Sequence, residues 1–396
     1  MDKLISVHEA KSRINQNSLK FGTERVNLIQ SSGKVLAEDV LTDRPYPPFN
    51  RATMDGICLR YSDIDLLKHN GLPVHSSIFA GDEINNIPIG SAAKIMTGAS
   101  LPNELDTVIR VEDLDFKDSL VHLKPSAKVV NGQCVHLKGS DHSKGDLAIK
   151  KGTLIKQGTI AALATIGVDR PLVEKLPKVA IIATGNELVP IQTVPKDHQI
   201  RTSNTPFLTS LCNSLGLENE AYYLTDDVAE TELLIAQLLA GFDVLLFTGG
   251  VSKGEKDFVA ESLEKNEVKK IFHGVLQKPG KPMWFGTTSS CMVFALPGNP
   301  ISVAATATVY FSSFIRQQAI NSAILSEELK FSKKLGLFHP VSVRTENGIF
   351  FADPISFNTS GDVLSLAYID GFIELPAKED IFEPGRSFPV YLCSHE

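Results

Sequence analysis

Paired cysteines are missing from this chain. Its five, Cys58, Cys134, Cys212, Cys291 and Cys393, are odd in number and far apart, with no CxxC spacing. That speaks against a disulfide framework and against a thiolate metal site. The ten histidines form no HxxxH or HExxH pair, so the usual histidine metal signature is absent too. No cysteine has a neighbouring base, which leaves acyl transfer by a cysteine nucleophile without support. No apolar run approaches the roughly 18 residues that would span a bilayer. The start, MDKLISVHEAKSRI, lacks a basic stretch followed by an apolar core. Positive charge is in short supply: 39 Lys and Arg against 46 Asp and Glu give a net charge of −7. This excess of acid disfavours nucleic acid and anionic membranes as partners. The expectation is a reduced, cytoplasmic protein.

What is present is ordinary globular composition. The 396 residues are 43% hydrophobic and 21% charged, and at about 150 residues per domain they make two to three domains. Ser6 and Glu9 form a capping-box pattern, and Leu4, Ile5, Ala10 and Ile14 share one face of a short helix. A second helix is expected near Glu24–Ser31, ended by Gly33. The stretch PYPPFNR (45–51) can continue neither a helix nor a central strand. After it come short β-like runs broken by glycine (Val74–Phe79, Ala93–Met96, Thr107–Val111), which read as a β-rich insert domain, 46–138. Residues 139–152 look like a return crossing, followed by a helix over Gln157–Ile166. Segments 1–45 and 139–176 together are expected to form one discontinuous linking domain.

From Pro177 the pattern changes. Apolar β runs (Val179–Ala183, Glu218–Leu224, Val244–Phe247, Val293–Leu296) alternate with helical stretches: one with Pro206 at its first position, then Ala229–Ala240, Asp257–Lys265 and Pro300–Gln317. Strands that are apolar without alternation, interleaved with helices, predict a doubly wound, mostly parallel α/β domain over 177–322. Short β runs alone follow (Val341–Arg344, Gly348–Phe351, Phe372–Leu375, Pro389–Cys393), as in a small barrel or sandwich over 323–396.

In such a sheet, ligands lie beyond the carboxyl ends of the strands. Three strand ends carry unusual loops: Thr184-Gly185-Asn186-Glu187, the run Thr248 to Asp257, and Pro297-Gly298-Asn299-Pro300. In the second, Gly249, Gly250 and Gly254 permit positive φ and close approach to a phosphate, although the spacing is neither a Walker loop nor a dinucleotide fingerprint. As a helix N-cap and first residue, Asn299 and Pro300 have a sufficient structural reason. Glu187 and Asp257 each follow a strand end, where Mg2+ could bridge carboxylate and phosphate; helix capping and the helix dipole would also account for them. Lys278-Pro279-Gly280-Lys281-Pro282 is a stiff basic turn in an acidic chain, which suggests an anionic partner. By themselves, Met54-Asp55-Gly56, the stretch around Thr97-Gly98 and the acid Asp141 read as turns and loops.

These stretches, in this order, resemble the molybdenum-insertion family of MoeA and the C-terminal domain of gephyrin. The matching segments are PPFNRATMDG (47–56), AAKIMTGASLP (92–102), VIRVED (108–113), KGSDHSKGD (138–146), VAIIATGNELVP (179–190), RTSNTPFLTSLCNSLG (201–216), LLFTGGVSKGEKDF (245–258), KPGKPMWFG (278–286) and ALPGNPISV (295–303). The resemblance implies a homodimer of four-part subunits with a MogA-like α/β domain and a C-terminal β-barrel. It also implies the reaction: adenylylated molybdopterin and molybdate bind, the dithiolene sulfurs replace oxygens on molybdenum, and AMP leaves by Mg2+-assisted hydrolysis.

By the same resemblance, Glu187 and Asp257 hold the Mg2+–phosphate unit. Thr184, Gly185, Gly249, Gly250 and Ser252 cradle substrate oxygens, and Lys278 and Lys281 bind molybdate or the pterin phosphate. Pro297, Asn299 and Pro300 shape the pocket. Asp55, Thr97 and Asp141 complete the site, across the dimer. Asp226 or Asp227 matches a family acid. The chain departs from the family at Asn50-Arg51 and Ile57-Cys58, where the usual residues are Asp-Asn and Tyr-Ala. Two other readings stand beside this one: a molybdopterin adenylyltransferase, itself a possible partner, and a non-catalytic dimeric scaffold.

Overall fold

Strands Val179–Thr184, Val244–Thr248 and Met292–Leu296 are apolar at nearly every position because both faces of their sheet are covered. Val179, Ile181, Val244, Leu246, Met292 and Phe294 point into one buried cluster, and Ala180, Ile182, Leu245, Phe247, Val293 and Ala295 into a second on the other face. The computed structural model describes residues 3–83, 86–224, 228–250, 258–316 and 320–393. The chain divides into two units, Gly22–Glu174 and Met1–Phe21 with Lys175–Glu396.

In the larger unit, the α/β sheet runs in the order Asn219–Leu224, Val179–Thr184, Val244–Thr248, Met292–Leu296, Trp284–Thr287, Lys269–His273. The first four strands are parallel, and the last two form an antiparallel edge. The doubly wound reading holds. The antiparallel pair, which flanks the basic turn, was not anticipated. Helix Asn204–Ser214 begins two residues before the expected start, so Pro206 is its third residue; there its missing N–H is still one of the unpaired first-turn donors. The expected long helix after Pro300 is α-helical over Pro300–Thr306, widens into a π turn over Ala307–Ser312, and resumes over Ser313–Arg316.

Helix Val7–Gln16 also belongs to this unit. The Glu9 N–H donates to Ser6 Oγ at 3.1 Å. The Glu9 carboxylate meets Arg13 one turn on, so that ion pair replaces the second half of the capping box. Its apolar face, Val7, Ala10 and Ile14, enters the same core cluster as Val179 and Phe294. Described residues up to Phe21 therefore fall in the unit of the α/β sheet and not, as expected, in the one that holds 139–174, because the sheet's core is where their apolar stripe is covered.

A five-stranded barrel completes the larger unit. Gly336–Glu346 pairs with Ile349–Pro354 and Gly371–Leu375, Asn321–Leu325 with Ile349–Pro354 and Ser387–Leu392, and Ser387–Leu392 with Gly371–Leu375, so the ring closes. Closure leaves no free edge.

In the smaller unit a six-stranded sheet runs Thr107–Arg110, Gly56–Leu59, Ala92–Ile95, Leu72–Ile78, Leu120–Leu123, Leu114–Lys117. Beside it, Thr23–Arg25 pairs with Leu172–Glu174, and Val40–Leu41 with Leu147–Ile149. The helix expected near Glu24–Ser31 is not formed: Glu24 and Arg25 lie in a strand, and only Leu28–Ser31 makes a 3-10 turn. The pairing partner is about 150 residues away and left no local signal. Helix Gln157–Ile166 forms as expected, closed by Gly167 in the left-handed region. No helix among the described residues is long and apolar enough to cross a membrane.

Candidate functional site

Adjacent parallel strands in register end at one level. Ala183 lies opposite Thr248, and Thr248 opposite Leu296. The loops that begin at Gly185, Gly249 and Pro297 therefore emerge side by side, and all three line an open cleft of about 1580 Å3. Cross-links fix them to one another. The Gly249 N–H donates to Leu296 O at 3.1 Å. Asn204, in the first turn of its helix, donates through Nδ2 to Thr248 Oγ1 and to Gly298 O, both at 2.8 Å. Asn204 thus ties the end of one strand to the loop after the next.

Two glycines here cannot be exchanged for larger residues. Gly249 has φ +92°, and a Cβ on it would lie 2.7 Å from Thr184 Oγ1; Gly250 has φ +68°, and a Cβ there would run into Val259. The backbone beside the cleft is thus bare because Thr184, at the end of the neighbouring strand, and Val259, in the following helix, occupy the space a side chain would need. Glu187 folds back over Gly185. It is the one carboxylate among the described lining residues. Asn299 stands at the N-cap with Pro300 first in the helix, but its side chain makes no cap. It donates instead to Ser360 Oγ at 2.8 Å, in the barrel.

Lys278 and Lys281 enter the cleft from the basic turn, and Arg201 from the lead-in to the Asn204 helix. Among the described residues none of the three has a carboxylate partner, whereas Lys330, also lining, pairs with Glu328 at 2.8 Å. The charge of the described lining is therefore opposite to that of the chain as a whole. The barrel supplies the facing wall, with Phe331, Leu337, His339 and Phe357. The Lys278 ammonium lies 5.7 Å from the Phe331 ring centroid. Burial lowers the His339 pKa to about 4, opposed by a hydrogen bond to the backbone at Ile355 and aided by the smaller effect of the Lys278 charge. His339 is consequently neutral at neutral pH.

Of the residues singled out in the sequence, Thr184, Gly185, Glu187, Gly249, Gly250, Lys278, Lys281, Pro297, Asn299 and Pro300 all line this cleft. Ser252, Asp257 and the Asp226/Asp227 pair lie outside the described residues. Asp55, Thr97 and Asp141 belong to the smaller unit, in two clusters. Asp55 Oδ1 accepts from the Thr97 N–H and the Thr97 hydroxyl, each at 2.7 Å, and these bonds lower its pKa. Asp141 is bonded to His136 Nε2 at 2.8 Å, which lowers its pKa, and His136 Nδ1 meets Arg51 at 3.2 Å. Arg51, one of the departures from the family pattern, is thus part of the Asp141 cluster. Asn204, Gln277 and the barrel wall were missed. For Asn204 a signal existed, since it sits in the matched stretch 201–216; the barrel residues carry no local pattern.

Comparison with known proteins agrees with this architecture. Residues 5–167 match the model of the MoeA N-terminal region (domains I and II), 180–317 that of a probable molybdopterin binding domain, and 322–393 that of the MoeA C-terminal region (domain IV). The chain is 34% identical over 396 residues to a molybdopterin molybdenumtransferase of Synechocystis sp., covering 98% of this chain and 100% of that one. It is 28% identical over 414 residues to the Staphylococcus aureus protein of the same name, covering 99% and 96%. A crystal structure of a molybdopterin biosynthesis MoeA protein from Pyrococcus horikoshii superposes with a TM-score of 0.83 at 30% identity, with 100% of both chains covered. With a relative this similar along its whole length, the chain belongs to the MoeA family of molybdopterin molybdenumtransferases.

Proposed function

We propose that this protein inserts molybdenum into adenylylated molybdopterin, taking molybdate and releasing AMP. The observation that carries this reading is the cleft itself: three strand-end loops with exposed backbone face two lysines that have no carboxylate partner among the described residues. Loop backbone without side chains at Gly249 and Gly250 lets the phosphates of a nucleotide-tagged substrate approach closely. The lysines supply fixed positive charge to a tetrahedral oxyanion. The sulfur ligands of molybdenum come with the pterin, so the protein needs no paired cysteines.

A donor set of Glu187 and Asp257 would suit Mg2+ as a companion of the substrate. Among the described residues no group of three or more His, Cys, Asp or Glu could hold a metal. A Mg2+ ion that keeps its waters and takes phosphate oxygens needs only one or two carboxylates. Glu187 would supply one and Asp257 the other. When bound, the ion would neutralise charge on the departing phosphate. Asp55, Thr97 and Asp141 of a second copy completing the site in a homodimer is part of the same reading.

The test is to mix the pure protein with adenylylated molybdopterin, molybdate and Mg2+. Molybdate-dependent AMP release together with active cofactor is the expected result. Consumption of ATP with free molybdopterin would make it an adenylyltransferase instead, and silence in both assays would leave a scaffold.

A further inference from the structure

Lys278 and Lys281 bracket a turn whose backbone carbonyls are taken up from beneath. Gln277 is 1% exposed. Its side-chain amide donates to Pro279 O at 3.0 Å and to Gly280 O at 3.3 Å. Its amide oxygen accepts from the Tyr310 hydroxyl. Tyr310 is 2% exposed, and burial raises its pKa well above the ordinary range, so it keeps its proton and remains a donor. It projects from the π turn Ala307–Ser312, which continues the helix begun at Pro300. The same helix closes the underside of the turn: Gly280 has φ +85°, and a Cβ on it would collide with the Thr306 methyl. Widened helical turns of this type concentrate at functional sites. Here the widening serves a specific contact, the one that fixes which way the Gln277 amide faces.

The consequence is electrostatic. A peptide carbonyl presents partial negative charge, and two of them turned towards an anion would oppose the lysines on either side. Bonded to a buried amide, they are directed inward.

We propose that Gln277 and Tyr310 are positioning residues for anion binding: together they hold the carbonyls of Pro279 and Gly280 away from the cleft, so that an oxyanion meets the Lys278 and Lys281 ammonium groups alone. This rests on the reading that the two lysines bind molybdate or a phosphate. Neither residue touches the anion itself.

The experiment is calorimetric titration of the full-length protein with molybdate, in the presence of AMP and Mg2+. Four proteins are compared: wild type, Gln277→Met, Tyr310→Phe and Lys281→Ala. Gln277→Met keeps the length of the side chain and removes both donors. Its Kd for molybdate is expected to rise about tenfold, and that of Tyr310→Phe about threefold, because the amide survives but loses the bond that orients it. Affinity is read on folded protein, checked by circular dichroism, so a purely structural role would lower the melting temperature and leave Kd unchanged. Wild-type Kd in both Gln277→Met and Tyr310→Phe, with weaker binding in Lys281→Ala, would overturn the positioning role and leave the lysine reading intact. Unchanged binding in Lys281→Ala, or no binding by wild type, would instead contradict the lysine reading and this inference with it. Should Gln277→Met fail to fold, Tyr310→Phe decides alone, since it removes a single hydroxyl.

Discussion

Replacing Lys278 and Lys281 together by alanine is expected to lower cofactor formation at limiting molybdate roughly 10²-fold. Hydrogen bonds to charged groups contribute about 1.5–3 kcal/mol each, and 1.4 kcal/mol is a factor of ten. Both side chains are exposed in an open cleft, so the low end of that range applies to each, and two such losses multiply. On the proposed reading the lysines would hold the anion before and after the bond exchange alike, so the effect should fall on the apparent KM for molybdate more than on the turnover number. Stability should hardly move, since neither lysine has an ion pair among the described residues to lose. Initial rates across a molybdate series, with a melting curve for each variant, check both halves of this statement. A wild-type KM in the double variant would remove the lysines from the site.

The second large effect lies in the backbone. Gly249→Val is expected to destabilise the protein by about 3 kcal/mol and to abolish activity. The left-handed conformation at φ +92° costs a residue with a Cβ roughly 1–2 kcal/mol, more if it is β-branched. Overpacking against Thr184, whose Oγ1 would be 2.7 Å away and whose carbonyl oxygen 3.2 Å away, adds about 1–3 kcal/mol. Relief can come only by moving the loop after Thr248 or the end of the neighbouring strand, and both line the cleft. Gly298→Ala is the matching control. It lacks a positive φ, and its Cβ would meet only the Gly249 Cα at 3.7 Å, an ordinary contact. Urea midpoints of the two variants should separate clearly; equal midpoints would mean that the loop yields without cost.

How much of this was legible in the sequence follows from the range of each interaction. The parallel strands were readable because a strand buried on both faces has no polar positions, which is a local property. The three strand-end loops were readable because glycine and proline mark turns wherever the strand partners lie. The stretch Glu24–Ser31 was misread because a short strand paired with Leu172–Glu174 looks locally like one face of a helix. The antiparallel edge strands Trp284–Thr287 and Lys269–His273 were hidden for a similar reason: each is only four or five residues long and no helix separates them. Within the site, Lys278 and Lys281 stood out by charge, whereas Gln277, Asn204 and His339 act through Tyr310, Gly298 and Lys278, which lie 33, 94 and 61 positions away along the chain. Nothing in the composition around a glutamine tells whether its amide is buried under a turn.

The central claim is that molybdate and the nucleotide meet in the cleft between the strand-end loops and the basic turn. It is tested most directly by diffraction from crystals soaked with AMP, Mg2+ and molybdate, with molybdenum located by its anomalous scattering. A molybdenum peak against Lys278 and Lys281, with AMP phosphate beside Gly249 and Gly250, is the predicted result. A peak on another surface, with no ligand density in the cleft at saturating concentrations, would contradict the account.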